Sequence, residues 1–173
     1  MLAPLLTVRI DKRGWQALRD KLNEAKGYNH LVELGCTNVR FIPVSSVENQ
    51  RTPDVQGILA GMSVLCEVKT INISEVEAIQ RTNGAARSIN LQLKDGFFRK
   101  LKSDIKTAAA QMAAYDADNS ARRIVYVVVN FDDNLHEYAA EYSAQIDTFV
   151  AANPVPSAEV VFHIKPPYYS ATV

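Results

Sequence analysis

From Lys12 to Leu34 the apolar residues Trp15, Leu18, Leu22, Leu31 and Leu34 return at helical spacing, and Gly35 follows as a C-cap. Gly27 interrupts that run as a weak point. Three short segments of strand character come next, at 39–44, 54–59 and 62–70. The stretch 71–96 is polar and irregular, with Ser74 and Glu77 at capping-box spacing for a short helix. Helical period resumes over 97–115 through Phe98, Leu101, Ile105, Ala108 and Met112. The β-branched run at 124–129 has the pattern of a strand buried on both faces. A helix over 135–150 and a strand over 160–164 complete the series. This order predicts an α/β fold with a mixed sheet, its first strands meandering and its later ones reached by helical crossovers.

Composition adds little to that picture. With 173 residues, 47% hydrophobic and 22% charged, the chain is too apolar for a disordered one and fits a single domain over 1–173. Cys36 and Cys66 stand without CxxC or Cys/His spacing, so we expect buried core thiols rather than a zinc site or a disulfide. The longest apolar run falls far short of the 18 or so residues that cross a bilayer, and the first residues carry their charges after the apolar stretch, the reverse of a secretory signal. The expectation is a cytoplasmic protein with no membrane partner. His30, His136 and His163 lie in separate elements without triad or ligand spacing, and no Walker loop, GxGxxG or GxSxG is present.

The segment from Pro53 to Thr70 carries the chemistry. If 54–59 and 62–69 form a hairpin about Ala60-Gly61, Asp54 falls opposite Glu67, and period-two alternation puts Lys69 on the same face. Ala-Gly is not the favoured dipeptide for so tight a turn, and a bulge at Gly61 would shift this register by one. Two ionised carboxylates facing each other repel. A hard cation such as Mg²⁺ offsets that, because it takes oxygen ligands from one or two carboxylates and the rest from water and phosphate. A lysine beside such a pair can orient a water and meet charge building on phosphate.

Pro53-Asp54 followed by Glu67-Val68-Lys69 resembles the PD-(D/E)xK nuclease superfamily, to which many restriction endonucleases and recombination exonucleases belong. The resemblance implies a restriction-endonuclease-like core of a helix, three strands, a helix and a strand, here about 12–130, with 131–173 as a C-terminal extension. It further implies that Asp54, Glu67 and the Val68 carbonyl hold Mg²⁺ or Mn²⁺ and that Lys69 is catalytic. Members commonly carry an acidic residue on the first helix about three turns before its closing glycine, and Glu24 fits. Glu24 lies within about 20° of Leu31 on the helical wheel and Glu33 nearly opposite, so Glu24 is preferred. Gln111-Met-Ala-Ala-Tyr115 resembles the Gln-x-x-x-Tyr motif of the RecB-like branch, and Lys100 lies on the same stripe, placing all three to contact substrate.

The formal net charge is zero, but it is uneven. Between Arg81 and Lys106 seven basic residues stand against two acidic ones, whereas 131–164 holds six acids and no Lys or Arg. The basic stretch suits phosphate contacts. The expectation is therefore a metal-dependent nuclease hydrolysing DNA. Its alternatives are an RNA-directed nuclease, or a catalytically silent module of the same fold that binds nucleic acid or a protein. A homodimer would suit double-strand cleavage.

Overall fold

In a computed structural model of the chain, residues 16–47, 51–72, 92–130 and 138–165 are described. The elements run α1 (Gln16–Glu33), β1 (Thr37–Phe41), β2 (Val55–Leu59), β3 (Met62–Asn72), α2 (Asp95–Tyr115), β4 (Arg122–Asn130), α3 (Ala139–Ala152) and β5 (Glu159–Lys165). The five strands form one mixed sheet in the order β1-β2-β3-β4-β5. β1, β2 and β3 are antiparallel, whereas β3, β4 and β5 are parallel. The expected α/β layout with a meander followed by helical crossovers is present. The short helix expected near Ser74, Arg81 and Arg87 of the basic stretch, and His136 all lie outside the described residues.

Helices cover both faces of the sheet. Leu31 of α1 packs on Val64 and Cys66 of β3 and on Ile124, Tyr126 and Val128 of β4. Leu101, Ile105, Ala108 and Met112 of α2 and Ile146 of α3 pack on Leu65 and Ile71 of β3 and on Val125, Val127 and Val129. β4 is thus buried on both faces, as its unbroken apolar run over Ile124–Val129 requires. Both cysteines are buried and free.

Gly35 closes α1. Its φ of +83° is the left-handed cap conformation, and the Gly35 and Cys36 amides donate to the Val32 and Leu31 carbonyls, a Schellman pair. Gly27 is not a weak point. A Cβ built there would stand 2.5 Å from Val68 Cγ2, so its hydrogen lets α1 approach the sheet beside the Glu67 to Lys69 segment. The first strand sits earlier than expected, at Thr37–Phe41, with a register irregularity between Thr37 and Arg40 where Asn38 takes a φ of 52°.

Candidate active site

The β2–β3 hairpin sets the site. Its pairs include Val55↔Cys66 and Leu59↔Met62, with Ala60 and Gly61 as the two turn residues, both at positive φ. This is the unbulged register expected from the sequence, and a two-residue turn with both φ positive matches the twist of the strands. Pro53 then ends the ladder, since it has no N–H to donate to the next carbonyl of β3. Asp54 fills part of the gap with its side chain: Oδ2 accepts the Val68 N–H at 2.8 Å. A strand residue directs its N–H and carbonyl to the same side, so the Val68 carbonyl also faces this gap.

Glu67 and Lys69 point to the face covered by α2, two residues apart along β3. Lys69 Nζ donates to Glu67 Oε1 at 2.7 Å, and Gln111 Nε2 donates to Glu67 Oε2 at 2.9 Å. The same Gln111 nitrogen donates to the Thr52 carbonyl at 2.8 Å, tying α2 to the segment that carries Asp54. Both glutamate oxygens are therefore fixed, in a side chain only 5% exposed.

Burial is the main cause of the site's electrostatics. It pushes the Glu67 carboxyl up to about 7, helped by repulsion from Asp54 and opposed by Lys69 and Gln111. It also raises Asp54, against the Val68 N–H and the fields of Lys69 and Lys21. On α1, Glu24 is raised by burial, held back by Lys21, and raised again by Asp54, so all three carboxylates feel one another through Asp54. Glu24 has a side chain 18% exposed, on the flank of α1 nearer the sheet.

Asp54, Glu67, Lys69, Gln111 and the Val68 backbone thus meet at the end of β2, with Glu24 within electrostatic reach. Lys100 and Tyr115 lie further along α2. Lys100 stands about 16 Å along the helix axis from Gln111 and is paired with Asp104 at 2.7 Å. Tyr115 is the last helical residue and is 38% exposed. Lys102 of the basic stretch donates to Asn153, the residue that caps the C-terminus of α3.

Three further groups were not singled out by motif. Lys21, one turn before Glu24, holds both its carboxylate oxygens at 2.7 Å. Asn23 is fully buried and donates to Thr70 Oγ1 at 3.0 Å. The Thr52 carbonyl receives Gln111. For Lys21 and Asn23 a signal existed, the i, i+3 spacing to Glu24 and a polar residue in line with Gly27 and Leu31.

The donor set fits a hard divalent cation. A buried and a partly buried carboxylate, Glu67 and Asp54, repel each other next to a carbonyl left without a ladder donor. Among the described residues no three His, Cys, Asp or Glu side chains group to hold a metal ion. The pair would accordingly leave the other positions to water and phosphate oxygen, as Mg²⁺ prefers. Comparison with family models, curated proteins and solved structures found no match. No helix among the described residues is long and apolar enough to cross a membrane.

Proposed function

We propose that the chain is a divalent-cation-dependent nuclease of the PD-(D/E)xK type that hydrolyses DNA. The observation that carries this reading is the meeting of Asp54, Glu67 and Lys69 where β2 ends beside β3. The succession α1, three-strand meander, α2, β4 supports the corresponding fold, with α3 and β5 as an addition.

In this reading Asp54, Glu67 and the Val68 carbonyl would hold Mg²⁺ or Mn²⁺, with Glu24 acting through water. The bound ion would supply Lewis-acid neutralisation of phosphate charge and a lowered pKa for water. Lys69 orients the attacking water and meets the charge that builds on the phosphoryl oxygens. Gln111 keeps Glu67 in place through its bonds to Oε2 and to the Thr52 carbonyl. Water attacks phosphorus in line with the leaving sugar oxygen; the new P–O bond forms and the old one breaks, the attacking water gives a proton up to solvent, and the leaving oxygen takes one from solvent water. Lys100 and Tyr115 would contact the strand along α2.

The test is cleavage of plasmid and single-stranded DNA in Mg²⁺, Mn²⁺ or EDTA. We expect cutting with either ion and none in EDTA, and a loss of at least about a hundredfold for Asp54→Asn and for Lys69→Met. Parental rates in both variants overturn the assignment. Nucleic-acid binding without cutting would point to a silent module, and cutting of RNA alone to an RNA-directed enzyme.

A further inference from the structure

The site holds cations of its own. Lys21 Nζ lies 2.7 Å from both Oε1 and Oε2 of Glu24, and Lys69 Nζ lies 2.7 Å from Glu67 Oε1. The fields of both ammoniums reach Asp54. Three carboxylates are thus met by two lysines before any metal arrives. The two lysines differ in setting. Lys69 is fixed on the central strand with its side chain 22% exposed. Lys21 sits at the rim on α1 with its side chain 51% exposed, and an exposed pair at i, i+3 is weak and readily exchanged.

A divalent cation at Asp54 and Glu67 would reverse the field that helps to hold Lys21. An arriving nucleic-acid backbone would present a new anion at the same rim. Both changes favour moving the ammonium from Glu24 to phosphate, which leaves the Glu24 carboxylate for the hydration shell of the ion. Resting on the nuclease reading, we propose that Lys21 is a displaceable counter-ion: it occupies Glu24 in the cation-free protein and transfers to a backbone phosphate of the substrate once the cation binds. Cation and phosphate binding are then coupled through one side chain, and no covalent step is involved.

The experiment uses the full chain in two arms. Mn²⁺ is titrated calorimetrically without nucleic acid, and a fluorescent DNA oligonucleotide is titrated by anisotropy in Ca²⁺ over a range of salt. Lys21→Met should bind Mn²⁺ several-fold more tightly than the parent, because a competitor is gone. Lys21→Arg should stay near the parent. Lys26→Met removes the same charge five residues further along α1, where Lys26 Nζ meets His163 Nε2 at 3.2 Å, and should also stay near the parent. Oligonucleotide affinity of Lys21→Met should fall several-fold, with a salt slope smaller by about one. Unchanged Mn²⁺ affinity in Lys21→Met, an equal rise in Lys26→Met, or an unchanged salt slope overturns the proposal while leaving the nuclease reading standing. Absence of Mn²⁺ binding by both parent and Lys21→Met overturns the two together.

Discussion

Glu67 is the residue on which the site's energetics turn. It is buried at 4% exposure, faces Asp54, and is ionised only against both conditions. Its carboxyl rises from an ordinary 4.5 to about 7 in the folded protein. A carboxyl raised in this way contributes stability that is fully present below 4.5 and is lost as pH rises through 7, because the folded state holds the proton that the unfolded state gives up. Asp54 is raised in the same direction, so the two losses reinforce each other. In EDTA, Glu67→Gln should therefore be more stable than the parent at pH 8, by roughly 1–3 kcal/mol, and should flatten the fall in stability between pH 5 and 8. Urea denaturation across that range checks both; a parent whose stability rises over the same interval contradicts the electrostatic account. The expected gain in stability at the expense of the proposed activity is usual where like charges are held together for function.

At the scale of elements, the joint between α1 and β3 decides whether Glu24 reaches the site. Gly27 brings the helix against Val68, and Glu24 is one turn before it on the same helix. Gly27→Ala should force that contact apart and cost about 1–3 kcal/mol, measured by urea denaturation, and should weaken proposed cleavage more than the stability loss accounts for. Stability equal to the parent would show that the approach is not needed. The hairpin register was legible in the sequence because period-two alternation and a two-residue turn leave few choices, which put Asp54 opposite Glu67. That Glu24 rather than Glu33 faces inward was also legible, from the angle each makes with Leu31. The Asp54 bond to the Val68 amide was not, because it depends on where Pro53 ends the ladder. Gln111 was visible as a polar residue on the stripe flanking the apolar one of α2, but its bonds to Glu67 and Thr52 rest on how α2 lies across the sheet. No local pattern records that placement.

For the whole molecule, zero net charge gives no long-range attraction to nucleic acid, so the proposed binding would have to come from a local constellation. Among the described residues, that constellation lies where the antiparallel meander meets the parallel half of the sheet. β2 stops at Val55 while β3 runs on beside β4, so one strand presents side chains and backbone groups that its neighbour no longer covers. The α/β layout itself was legible, since the helices and the inner strands follow from their own hydrophobic patterns; β1, exposed along nearly its whole length, has no such pattern and starts earlier than its apolar residues suggest. On the proposed function, this uncovered part of β3 shares a cation with Asp54. Anomalous diffraction from a crystal soaked in Mn²⁺ tests it most directly. A peak is expected between the carboxylates of Asp54 and Glu67, beside the Val68 carbonyl; a soaked crystal with no peak there, or with manganese bound only elsewhere, overturns the shared site.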